Sequence, residues 1–186
     1  DGFRLPDVGI MSGFLYAVVR MTKVKLAALV KHKLAWGLLA TIPVSLYAVQ
    51  VILIQPASEV PQGLNLAFDI FWSGIVYGGL DGILLSVFPV YIMWQVMKIK
   101  GWTDSGWKKK AAAGALALAA SMVIIGMYHI GFPEFRGPQV MTVILGVGVM
   151  SLAYIVTGNP TVAVTSHIVM HIAAVLQGAE TMLQLP

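Results

Sequence analysis

A run of about 20 predominantly apolar residues is long enough to cross the hydrocarbon core of a bilayer as a helix. This sequence carries five apolar runs of that kind, over residues 34–54, 64–99, 111–130, 140–156 and 161–184. Little else that a chain can fold into accommodates so much contiguous apolar surface. The composition agrees: 58% of the residues are hydrophobic and 11% charged, where a soluble domain carries roughly 25% charged residues. The sequence therefore predicts an all-α protein, a polytopic transmembrane helical bundle of about five spans plus an N-terminal amphipathic interfacial helix. Residues 1–33 form the N-terminal segment and interfacial helix, and residues 34–186 the transmembrane helical domain.

Within the N-terminal segment, residues 1–8 are polar, contain Pro6 and read as a loop. Residues 9–33 mix apolar side chains with Arg20, Lys23, Lys25, Lys31 and Lys33. That pattern reads as an amphipathic helix lying in the interface, its basic side toward lipid headgroups. The alternative, a first span over residues 9–19, is too short on its own. His32 lies in the same basic segment and reads as a headgroup contact. Pro43 should kink the first span, which membrane helices tolerate. Residues 64–99 exceed one perpendicular span, so this helix is strongly tilted or begins with an interfacial piece holding Asp69.

Six Lys and Arg residues precede the first span, five lie between the second and third, and only Arg136 falls elsewhere. Both basic blocks should then face the cytoplasm, with residues 131–137 on the opposite side. The protein is expected to be integral to a bacterial or organellar inner membrane, with its N-terminus on the cytoplasmic side. The net charge of +4 is thus topological and gives no sign of a nucleic-acid partner. The expected partners are the lipid bilayer and other membrane protein subunits. No cysteine is present, which excludes disulfides, thiolate metal sites and cysteine catalysis.

Of the ionisable residues in the apolar runs, four stand out: Asp81, His129, His167 and His171. Such groups are costly at membrane depth and are functional suspects for that reason. His167 and His171 are four apart, one turn apart on one helix face. Asp81 sits beside a stripe of small residues, Gly74, Gly78, Gly82 and Ser86, that would let a neighbouring helix approach closely. Asp81, His167 and His171 are expected to face one internal polar pocket with His129 at its edge. His129 and His167 meet only if the third span starts below the membrane surface or the Asn159-Pro160 turn dips into it. Each residue also has a plainer reading: Asp81 as a carboxyl group bonding helices together, His129 as a helix-end histidine, His167 and His171 as buried imidazoles satisfied by backbone or hydroxyl partners such as Ser166 and Thr165. The set Asp81, His129, His167 and His171 has the chemistry of a divalent metal site, and the pair His167 and His171 could ligate a metal, haem or chlorin. The His-x-x-x-His spacing lacks the Glu of the zinc-protease motif, and no P-loop or dinucleotide fingerprint is present.

The order and spacing of these residues resemble the CPBP family of intramembrane endopeptidases, the CAAX prenyl proteases and bacteriocin-processing proteins. That family has a Glu-Glu-x-x-x-Arg motif, a Phe-x-x-x-His helix end, a helix closing on Thr-Gly, and a helix with His-x-x-x-Asn or Asp. Here Ile125-Gly126-Met127-Tyr128-His129 resembles the second motif, Tyr154-Ile155-Val156-Thr157-Gly158-Asn159-Pro160 the connection, and His167 to His171 the last motif. The likeness spans roughly residues 70–180. The counterpart of the paired glutamates is Asp81-Gly82; the arginine position falls on Ser86, and His171 stands where the family has Asn or Asp. In the family a glutamate activates water, the histidines assist and the asparagine helps hold the oxyanion. The resemblance implies two outcomes. One is a non-catalytic binding, scaffold or chaperone subunit of a membrane complex, needing no cofactor. The other is a divergent endopeptidase in which Asp81, His129, His167 and His171 would be catalytic, Asp81 and the histidines activating water.

Overall fold

The fold is that of a computed structural model, which describes residues 4–22 and 24–178. Among the described residues seven helices run in chain order: α1 (Arg4–Thr22), α2 (Leu26–Lys31), α3 (Leu34–Leu53), α4 (Leu64–Ile99), α5 (Trp107–Ile130), α6 (Gln139–Thr157) and α7 (Thr161–Gln177). A 3-10 turn at Pro133–Phe135 joins α5 to α6, and no strand occurs among the described residues. The protein is an all-helical bundle. Helices α3, α4, α5 and α6 are long and apolar enough to cross a membrane, and α7 is a shorter apolar helix of 17 residues. Leu38, Leu39, Ile42 and Leu46 on α3, and Val123 and Met127 on α5, are exposed, the outer surface that hydrocarbon, and not water, accommodates.

The N-terminal region departs from the sequence expectation. The chain is helical from Arg4, so most of the polar loop expected over residues 1–8 is instead the first turn of α1. The single interfacial helix expected over residues 9–33 is two helices with a break between them. Met11, Leu15, Val18 and Val19 are half-buried, the spacing of one helical face. Phe14 meets Phe88 of α4 edge-on, ring centroids 5.5 Å apart. Ile10 and Tyr16 are exposed, so α1 is apolar on its outer side too, and over residues 9–20 Arg20 is its one charge. Helix α7 ends at Gln177; the last part of the run expected to extend to residue 184 lies outside the described residues.

Helix α4 has 36 residues, which at ~1.5 Å per residue exceeds the ~30 Å hydrocarbon core. It is not uniformly α-helical. Two π-helical stretches, Ile70–Tyr77 and Gly82–Val87, flank the α-helical turn Gly78–Asp81. Such wide turns are rare and cluster at functional sites. They also displace backbone groups from their ordinary helical partners. In the second stretch the Leu85 carbonyl accepts a hydrogen bond from Ser121 of α5 at 2.7 Å, and Ser121 in turn pairs with Ser151 of α6 at 2.8 Å. These buried hydroxyls tie three helices at the level of the irregular backbone.

Helix α7 lies at the centre, packed against α3 and α4, while α5 pairs with α6. The main core joins Val44 and Ala48 of α3, Val87 and Val90 of α4, Ala117 of α5, Met150 and Tyr154 of α6, and Val162 and Ala163 of α7. Helix α6 stops at Gly158, whose φ of +71° is the left-handed conformation that favours glycine; its N–H bonds the Tyr154 carbonyl at 2.8 Å. This terminates α6 as a helix C-cap and turns the chain directly into α7.

Candidate functional site

The small-residue stripe of α4 is the seat of α7. A side-chain carbon added at Gly74 would fall 2.7 Å from Ile172; at Gly78, 3.0 Å from His171 Cβ; at Gly82, 3.0 Å from both His167 Cβ and the Val164 backbone. Glycine at these points lets the backbones approach closely. That approach brings His167 and His171 against the turn carrying Asp81. All three are buried, as is His129.

Asp81 Oδ2 and His171 Nε2 stand 3.5 Å apart. The separation is long for a direct hydrogen bond and suits an ion pair or one bridging water. His129 and His167 are fixed differently. Each places Nδ1 against the carbonyl one turn earlier, His129 on Ile125 at 3.0 Å and His167 on Ala163 at 3.1 Å. A carbonyl only accepts, so Nδ1–H donates in both rings, and in the neutral ring Nε2 is left as the acceptor. His167 Nε2 and Asp81 Oδ1 are buried without a hydrogen-bond partner in the protein.

All four residues line one cavity of about 40 Å³, walled elsewhere mostly by apolar side chains, with Tyr47, Tyr77, Tyr128 and Thr142 among them. A water needs ~10–15 Å³ of such space and two to four polar partners, so the cavity has room for a small cluster. His129 reaches this centre despite sitting near the end of α5. Its ring is packed edge-on against Phe135, centroids 4.7 Å apart, and against Tyr128 at 5.1 Å. The four residues share a cavity without making a chelating set: among the described residues, no group of three or more His, Asp or Glu side chains is placed to hold a metal ion. Of the two kinds of partner in the plainer reading, the backbone serves: carbonyls meet His129 and His167, while the Ser166 hydroxyl pairs with Ser45 of α3 at 3.2 Å.

Two contacts between distant parts of the chain carry no local sequence signal, one at the cavity and one away from it. Tyr77 and Tyr128, from α4 and α5, join hydroxyl to hydroxyl at 3.0 Å beside the cavity, and Tyr77 meets the His171 ring edge-on at 5.6 Å. Their separation of 51 residues puts them beyond any helical periodicity. The other is Asn159 in the α6–α7 turn, fully buried, whose amide donates to the Val30 carbonyl at 2.7 Å and the His32 carbonyl at 2.6 Å while its oxygen accepts from the Thr161 N–H at 2.8 Å.

At the positions matched to the Glu-Glu-x-x-x-Arg motif, Gly82 is closed off by α7, and Ser86 is fully buried with its hydroxyl unpaired. No protein-family model, curated protein or solved structure matches this chain.

Proposed function

We propose that this protein is a non-catalytic membrane subunit built on a CPBP-like bundle, one that scaffolds or chaperones other membrane proteins. The observation that carries this reading is the contact at Gly82. There the family's second carboxylate would have to stand, and α7 lies 3.0 Å from any side-chain carbon at that point. A water-activating pair of carboxylates needs space between them and the histidines. Here that space is occupied by the helix bearing His167. The remaining carboxylate faces His171, in the place of the family's Asn or Asp, so it is engaged with an imidazole. A cavity of about 40 Å³ holds water but no peptide segment. The basic blocks, taken with the positive-inside tendency, put the N-terminus and residues 100–110 on the cytoplasmic side.

The test is a comparison of wild type with Asp81→Asn, both expressed from the native locus. The amide keeps hydrogen bonding but cannot activate water. We expect both proteins to purify within the same larger membrane complex, and neither, in lipid nanodiscs, to cleave transmembrane peptide substrates. Recovery as a lone monomer would remove the scaffold reading. Cleavage by wild type that Asp81→Asn abolishes would replace it with the divergent endopeptidase, Asp81 acting with His129, His167 and His171.

A further inference from the structure

A second, larger cavity of about 380 Å³ lies at the basic end of the bundle, within the ~300–1,000 Å³ typical of ligand pockets. It is lined by His32 and Lys33 from the α2–α3 joint, Tyr91, Trp94 and Gln95 from α4, and Lys110 from the first turn of α5. No carboxylate lines it. Among the described residues the one ion pair is that of Asp81 with His171, so Lys33 and Lys110 are unneutralised by protein. Two ammonium groups, an imidazole and an amide around one concavity make a donor set for an oxyanion.

The joint that supplies half of this set is held in place. Lys33 has φ 51° and ψ 34°, left-handed backbone at a non-glycine residue, a conformation that persists when its surroundings enforce it. The enforcing contacts are the two hydrogen bonds from Asn159 to the Val30 and His32 carbonyls. Gly158 packs the far side, with His32 Nε2 3.8 Å and Lys33 Cδ 3.9 Å from where its side-chain carbon would be. The cavity sits where α3 and α5 begin and α4 and α6 end. Half-buried Trp94 and Tyr91 are the residues that settle at headgroup depth, and Ile155 and Val156 continue the wall as apolar surface.

We propose that this cavity is a binding site for the phosphate of an anionic phospholipid headgroup, with Lys33 and Lys110 as its charge contacts. Basic pockets between membrane helices take such headgroups. Free phosphate shares the chemistry; the apolar wall and the aromatic pair favour the lipid. The site is independent of what the Asp81 centre does.

The experiment uses the full chain in detergent, with its thermal midpoint followed against added phosphatidylglycerol, phosphatidylcholine or inorganic phosphate. Phosphatidylglycerol should raise the midpoint and the other two should not. Lipid binding counted by native mass spectrometry should weaken roughly fivefold for Lys33→Gln or Lys110→Gln alone and further in the double variant. The control Lys108→Gln/Lys109→Gln removes equal charge from the same helix end outside the cavity and should keep the wild-type response. An equal loss in the control, an unchanged response in the Lys33/Lys110 variant, or an equal effect of phosphatidylcholine overturns the site. An equal effect of inorganic phosphate overturns its assignment to lipid. If the double variant does not fold, brominated phosphatidylglycerol decides the question in wild type: it should quench fluorescence that Trp94→Phe lacks, and equal quenching in both proteins overturns the proposal.

Discussion

At the scale of single residues, the polar centre is a problem of compensation. A buried carboxylate or imidazole in an apolar bundle is costly unless it meets a partner. Asp81 and His171 meet at 3.5 Å, and His129 and His167 meet backbone carbonyls. Removing one side of the pair strands the other. Asp81→Asn keeps a hydrogen-bonding group and should cost about 1 kcal/mol, whereas Asp81→Leu leaves His171 without its partner and should cost about 3 kcal/mol. In a double-mutant cycle on Asp81→Leu and His171→Leu, the double change should cost about 1–2 kcal/mol less than the sum of the singles. The measurement is thermal or denaturant unfolding in detergent, and strict additivity would mean the two side chains are energetically unrelated.

Among elements, the contact between α4 and α7 decides whether a centre exists at all. Gly74, Gly78 and Gly82 lie tight under α7, whereas a side-chain carbon at Gly79 would meet only the Ile168 side chain of α7, at an ordinary 3.7 Å from Cδ1. The two kinds of glycine should respond oppositely to the same substitution. Gly79→Ala adds a methyl group in ordinary contact and removes backbone entropy from the unfolded helix, so it should be neutral or stabilise by up to ~1 kcal/mol. Gly82→Ala drives a methyl group into the Val164 backbone, which moves only if α7 moves, and should destabilise by about 1–3 kcal/mol. Ile83→Val, half-buried beside the stripe, should cost no more than about 1 kcal/mol. Equal unfolding temperatures for the two alanine variants would show that α7 is not seated on this stripe.

For the molecule as a whole, helix ends and charges describe a bundle with one basic end. Residues 25–33 around α2 and residues 98–110 around the α4–α5 connection hold all the described lysines, and the α6–α7 turn is bonded into that end through Asn159. Residues 131–138 close the other end, where Arg136 donates to the Ile130 and Gly131 carbonyls at 3.2 and 3.4 Å. Single cysteines at Asp104 and Glu134 should therefore label from opposite faces of sealed vesicles with a membrane-impermeant reagent. The cysteine-free background makes the result unambiguous. Labelling of both from one face would require a different number of crossings.

The sequence by itself determined the fold class and the cast of polar residues. Apolar runs of spanning length leave few alternatives to a helical bundle, and an ionisable group in such a run has to point inward. The spacing of Gly74, Gly78 and Gly82 located a packing face for the same reason that periodicity locates any helix face. Tertiary structure decided who meets whom. Asp81 is partnered by His171, not by a hydroxyl, because α7 settles deeply enough on the stripe to bring that ring into reach. In the second π-helical stretch of α4 the Leu85 carbonyl is met by Ser121 of α5, itself paired with Ser151 of α6, and no local pattern announces a partner on another helix. Asn159 ties the α6–α7 turn to a segment 127 and 129 residues earlier, and with it the left-handed backbone of Lys33 and the basic cavity. A contact over that distance depends on the closure of the whole bundle, which is a property of packing and not of any stretch of chain.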